Sequence, residues 1–179
     1  MIIGLDGVPL NTIQQWTQTG QLPTLQRLIG EGAVGQLRST IPPTSGPSWS
    51  SFVTGMNPGK TGIYDFLYRR DGTYRFPPVN ASQRGGTTVW RYLSDAGYRV
   101  GVLNLPMSYP VEQVNGFMVS GWMTPYSATD YIHPHELATE LEQEIGDYRI
   151  YPTETFTEGR RDSFLNATHN LLDLSLIHI

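Results

Sequence analysis

The sequence predicts an α/β fold, and three stretches carry that prediction. Ile2-Ile3-Gly4-Leu5 is a short apolar run ending in Asp6-Gly7, the pattern of a buried strand whose carboxyl end delivers an acidic side chain. Thr88 to Ala96 reads as a helix stopped by Gly97, and Arg99 to Leu103 follows as a buried strand, which makes one α/β step. Phe117 to Ser120 reads as a further strand, ahead of a helix from His135 to Ile145 opened by Pro134. In open α/β sheets ligands gather at the carboxyl ends of strands, so the first of these stretches places Asp6 at the functional edge.

The remaining elements follow in chain order. Leu10 to Gln18 and Thr24 to Ile29 are two helical pieces broken by Gly20 and Pro23, with Leu22, Leu25, Leu28 and Ile29 at helix spacing and Gly30 and Gly32 past the end. Val34 to Thr40 alternates as a strand, and Pro42-Pro43 ends it. Thr44 or Ser45 then stands ahead of Gly46-Pro47-Ser48-Trp49-Ser50-Ser51-Phe52-Val53, where a hydroxyl followed by Pro reads as a helix start. A helix start is also an anion site, because its first N–H groups have no partner within the helix. Residues 55–86, rich in Gly, Pro, Arg and Tyr, read as a long surface excursion of the sort that lines a site. Asp162 to Asp173 is a last amphipathic helix, and no internal repeat or low-complexity linker interrupts the pattern.

Composition narrows the function. The chain has 179 residues, 39% of them hydrophobic and 16% charged, enough for one domain with a sizeable core or for part of a larger one. A net charge of -4, with 12 Lys and Arg spread along the chain, leaves no basic footprint for sequence-specific nucleic acid. The absence of cysteine removes disulfides, thiolate zinc sites and thiol catalysis together. No apolar run approaches the ~20 residues that span a bilayer, and no leader pattern opens the chain, so the cytoplasm is the default expectation, with an upstream targeting segment left open. The sequence does not set an oligomeric state.

Two residues carry chemistry. Asp6 is a carboxylate at a strand end and Ser45 a hydroxyl at a helix start. A hydroxyl is a poor nucleophile near neutral pH unless a base or a metal lowers its pKa, and a hard divalent cation held by carboxylates does so while polarising a phosphoryl oxygen. Each residue alone has a plainer reading: an Asp before Gly forms turns, and a Ser before a helix caps it.

Longer blocks change the balance. Gly4-Leu5-Asp6-Gly7, Gly20-Gln21-Leu22-Pro23-Thr24-Leu25, Ile41-Pro42-Pro43-Thr44-Ser45-Gly46-Pro47-Ser48-Trp49 and the run from Val53 to Phe66 resemble, in order and in spacing, successive blocks of the type I phosphodiesterase and nucleotide pyrophosphatase family. Asn104-Leu105-Pro106-Met107-Ser108-Tyr109-Pro110 and Val114-Asn115-Gly116 resemble a bacterial branch of it, so the likeness covers nearly the whole chain. The resemblance implies an alkaline phosphatase-like α/β/α sandwich, present here as its N-terminal portion. It also implies two divalent metal ions, usually zinc, and a small-molecule phosphate ester as substrate. By motif, Asp6 becomes a metal ligand and Ser45 both ligand and nucleophile, attacking in line to form a phospho-enzyme that water then hydrolyses. The family position of Ser45 is usually Thr, which keeps the hydroxyl. Two departures stand out: Phe66 falls where nucleotide-cleaving members have an Asn on the phosphate, and Thr61 falls where the block normally has a His that is not a ligand.

Other motifs are decoys. Gly55 to Thr61 imitates a phosphate-cradling loop, but it is one residue short between its glycines and Pro58 removes a donor. His133-Pro134-His135-Glu136 imitates a metal cluster but reads as a helix start, and Trp16, Trp49, Trp90 and Trp122 read as core or pocket wall. The further Asp and His blocks that the family's metal shell needs do not occur after Ser45, and His169 lies in an amphipathic helix. Leu174-Ser175-Leu176-Ile177-His178-Ile179 reads as the translation of a sequencing-library transposon end, CTG TCT CTT ATA CAC ATC. The expected organisation is therefore residues 1–173 as the front of one catalytic domain and 174–179 as a non-native tail. The expected activity is phosphate-ester hydrolysis by the full-length protein, with the fragment inactive. Competing readings are a binding module that keeps the scaffold without the chemistry, and a metal-dependent phosphomutase or transferase.

Overall fold

A computed structural model describes residues 1–146 and 148–176, with side chains to Leu171; Asp147 and the tail residues 177–179 lie outside the described residues. The order is α1 (Leu10–Gln18), α2 (Pro23–Glu31), α3 (Ser45–Thr54), α4 (Pro58–Thr61), α5 (Val89–Asp95), β1 (Val100–Leu105), β2 (Gly116–Ser120), β3 (Ile132–His133), α6 (Glu136–Ile145) and α7 (Arg161–Leu176). The three strands form one sheet in the order β1-β2-β3, with β1 parallel to β2 and β2 antiparallel to β3. The fold class is α/β, as the sequence predicts, and β3 is an element the sequence pattern did not disclose.

Local chemistry explains the helix limits. Thr88 caps α5 by accepting from the Arg91 amide, and Asn57 caps α4 by accepting from the Lys60 amide. Gly55 ends α3 in the left-handed conformation at φ 68, which a residue without Cβ adopts freely. Val53 of α3, Trp90 of α5, Val102 of β1, Met118 of β2 and Val114 ahead of it form the main core, which seats α3 and α5 against the sheet. A second cluster of Ile63, Val79 and Met107 draws in Phe66, Tyr68 and Met123. The excursion over 55–86 is therefore more than a surface loop, because Ile63 and Val79 anchor it.

Two expected strands are not formed. Ile2–Leu5 and Val34–Thr40 run without ladder partners, and Ile2, Ile3 and Leu5 are 73%, 70% and 57% exposed. An apolar run becomes a strand only when a neighbour satisfies its N–H and C=O groups and covers its faces, and among the described residues nothing does so for these two segments.

Where β1 and β2 end, their following loops are stitched together. Register slips between Leu103 and Leu105, where Asn104 takes φ 53. Gly121 then passes so close that a Cβ there would lie 2.4 Å from the Asn104 carbonyl carbon and oxygen, a contact only glycine permits. The Gly121 amide donates to Ser108 Oγ at 3.1 Å, and the Met107 amide donates to the Trp122 carbonyl at 3.0 Å.

Candidate active site

The site begins with a meeting of two distant segments. Ser45 is the first residue of α3, after Thr44 in extended backbone, and its Oγ donates to Asp6 Oδ1 at 3.1 Å across 39 residues of sequence. The two residues picked from sequence thus come together. Gly4 permits the approach: a Cβ there would fall 2.4 Å from Cη2 of Trp49, so a residue without a side chain is what lets the chain ahead of Asp6 pass against the indole. Trp49 is itself held edge-on by Phe52, with ring centroids 5.6 Å apart.

The helix start is arranged as an open anion seat. The first-turn N–H groups of Ser45 and Gly46 have no acceptor within α3, and Pro47 contributes none. Thr44 holds the capping position, but its Oγ1 makes no cap bond and is buried without a partner, so the expected hydroxyl cap is a correction: the backbone is capped in geometry only. Ser48 turns away and shares its Oγ with Thr40 Oγ1 at 2.9 Å.

Beside this seat stands an aromatic wall. A Cβ on Gly46 would lie 3.3 Å from the Asp65 carbonyl and 3.4 Å from Phe66 Cδ1, so Phe66 closes over the position next to Ser45. Phe66 in turn meets Trp122 edge-to-face, centroids 4.9 Å apart at 79°. The sequence flagged Phe66 only as a departure from a motif and Trp122 only as generic wall; their contact is long-range and leaves no local signal.

The decoys resolve as structure. His133 lies in β3 with Nε2 3.2 Å from the Val114 carbonyl, while His135 sits at the start of α6, so the two imidazoles serve separate elements. Gly55 to Thr61 follows a helix and folds into α4, its Thr61 buried and accepting from the Ile63 amide. Trp90 is core.

Asp6 and Ser45 fit part of a metal shell. Both offer hard oxygen atoms, and their 3.1 Å separation is close to the ~3.3 Å edge between two oxygen ligands of a tetrahedral zinc site. Among the described residues no group of three or more His, Asp or Glu gathers to complete it. A cleft of about 430 Å³ lies elsewhere, lined by Tyr126, Tyr131, Tyr148 and Tyr151, and no described helix is long and apolar enough to cross a membrane.

The family model described as type I phosphodiesterase / nucleotide pyrophosphatase matches residues 1–175, a span containing Asp6, Ser45, Phe66 and Trp122. No curated protein and no solved structure matches the chain.

Proposed function

The chain belongs to the type I phosphodiesterase / nucleotide pyrophosphatase family, and from that premise we propose that it contributes the nucleophile and the first metal ligands of a phosphate-ester hydrolase. The observation that carries this is the 3.1 Å contact between Ser45 Oγ and Asp6 Oδ1 at the start of α3. Asp6 accepts the Ser45 hydroxyl proton and so fixes the direction of the oxygen lone pairs. Ser45 Oγ attacks phosphorus as its proton passes to Asp6 Oδ1, the bond to the leaving oxygen breaks and that oxygen departs as the alcohol after taking up a proton from solvent, and the first-turn amides of α3 receive the non-bridging oxygens. Water then attacks the phosphoserine and frees Ser45. Asp6 and Ser45 would hold one divalent ion between them, and such an ion, zinc in this reading, supplies Lewis acidity and lowers the pKa of the nucleophile.

The domain reading is part of the same proposal. The partnerless segments 2–5 and 34–40 need strands on either side, and the shell around Asp6 and Ser45 needs further Asp and His side chains. Both are supplied if the native frame continues past Asp173, with residues 174–179 foreign to it. In that case the chain alone does not turn over substrate. The test is to recover the gene downstream of Asp173 and to assay its product on a panel of mono- and diesters. Asp and His blocks in frame, with hydrolysis that chelation removes, are the expected outcome. An in-frame stop, or an intact product that hydrolyses no ester, would overturn the reading in favour of a binding module.

A further inference from the structure

Arg84 is a buried guanidinium paired with the partly exposed Glu112, and the proposed chemistry does not use either residue. The Arg84 side chain is 4% exposed and its Nη2 lies 3.8 Å from Glu112 Oε1. Glu112 is well supplied with other partners: Trp90 Nε1 donates to it at 2.7 Å, Thr88 Oγ1 at 3.1 Å and Arg91 Nε at 3.3 Å. Burial holds the Arg84 guanidinium below its ordinary pKa, and Glu112 works in the opposite direction. Taking a guanidinium out of water is costly, so what it touches matters.

Besides Glu112 and the face of Trp90, 5.8 Å from its centroid, Arg84 holds one further group: Nη1 donates to the Met107 carbonyl at 2.8 Å. Met107 has a left-handed backbone at φ 62 and needs that kind of support. Its amide donates to the Trp122 carbonyl, and its buried side chain belongs to the cluster on which Phe66 packs. Phe66 and Trp122 are the aromatic wall beside Ser45. A continuous set of contacts therefore runs from Glu112 through Arg84, Met107 and Trp122 to Phe66.

We propose that Arg84, anchored by Glu112, is a positioning residue that fixes the Phe66–Trp122 wall against the start of α3, where the wall receives the organic substituent of the ester. The role of the wall rests on the reading of Ser45 as nucleophile; the coupling of Arg84 to the wall does not. A wall made chiefly of aromatic ring surface, with the Trp122 indole N–H as its one donor, carries no charge to offer a phosphoryl oxygen and favours a ring or hydrocarbon next to phosphorus.

Arg84→Met tests this cleanly, because Glu112 keeps three partners while Met107 loses its own. In the chain as it stands, amide hydrogen exchange should show protection at Met107 and Gly121 falling roughly tenfold or more, the usual loss for a hydrogen bond to a charged group. With 5-fluorotryptophan incorporated, the Trp122 fluorine resonance should shift while that of Trp16 stays. In the active full-length protein KM for an aryl phosphodiester should rise several-fold with kcat within about twofold, the signature of lost binding rather than lost chemistry. Unchanged Met107 and Gly121 amides with only Trp90 responding would overturn the proposal, and so would responsive amides with an unchanged KM. If Arg84→Met does not fold, Arg84→Lys takes its place. The lysine keeps the charge but not the fork that reaches Glu112 and Met107 together, so unchanged amides there are equally fatal.

Discussion

Ser45→Ala separates fold from chemistry at a single oxygen. On the stability side, Ser45 Oγ makes one bond, to Asp6 at 3.1 Å, in an exposed setting where water replaces it. That loss is worth about 0.5–1 kcal/mol, and alanine's better helix propensity returns a few tenths. The ~1 kcal/mol cost of losing a helix cap does not apply, because Thr44 and not Ser45 holds the capping position. The net change is below about 1 kcal/mol, a shift of a few degrees at most in Tm for a domain of this size. On the chemical side the hydroxyl bonded to Asp6 is that of Ser45, and kcat should drop by at least ~10⁴, or about 5.5 kcal/mol of transition-state stabilisation. Turnover of a chromogenic aryl phosphodiester by the full-length enzyme, beside a thermal melt, measures both, and Ser45→Thr should restore turnover. A variant that melts normally and keeps a tenth or more of the native rate refutes the nucleophile assignment. A loss of stability above about 3 kcal/mol would instead refute the placement of Ser45 as a partly exposed, non-capping residue.

Further outcomes follow from the same geometry. Titrated with zinc by calorimetry, the chain as it stands should bind no more tightly than roughly 10 µM, because two oxygen ligands are half a shell; sub-micromolar binding of two ions, or hydrolysis that Asp6→Ala abolishes, would contradict it. Gly121→Ala should destabilise by about 2–4 kcal/mol in urea unfolding, since the new Cβ meets backbone of Asn104 at 2.4 Å and backbone cannot step aside; a change under about 1 kcal/mol would show that the two loops are less tightly joined. Burial, with Tyr131 nearby, pushes the Tyr148 phenol up to about 12. The folded value lies above the ordinary 10, so this contribution to stability is complete below pH 10 and is lost as pH rises toward 12. Ultraviolet titration of the folded chain against a Tyr148→Phe variant should show one tyrosine ionising late, and its absence would refute the burial.

Most helices were legible because each carries its own signal; α4, inside the stretch read as a surface excursion, was not. Leu10–Gln18 has the predicted limits, and α5 and α6 differ from expectation by a residue at most ends, since Thr88, Gly97, Pro134 and Gly146 mark their boundaries locally. Strands depend on what lies beside them. Ile2–Leu5 has the composition of a buried strand, and Gly116–Ser120 does as well; only the second has neighbours, β1 on one side and β3 on the other. The two-residue β3 has no pattern of its own and exists because β2 offers it an edge. Propensity therefore states what a segment is able to become, and pairing decides whether it does.

The site divides along the same line. Asp6 and Ser45 were readable because a strand end and a helix start announce themselves within a few residues, and the chain brings them together even though the strand ahead of Asp6 has no ladder. Gly4 against Trp49 accompanies that contact, a close approach that only a residue without a side chain permits. The aromatic wall was not readable. Phe66 and Trp122 lie in separate loops, and the contact between them depends on Gly121 passing Asn104, on Met107 in a left-handed turn, and on Arg84 reaching in from a third segment. None of those is a motif. The residues proposed to perform the chemistry are thus announced by short-range signals, whereas the surface proposed to receive the substrate is assembled from loops held by a buried charge. Substitutions around Arg84 and Glu112 should consequently alter which ester is accepted more readily than whether Ser45 can attack it.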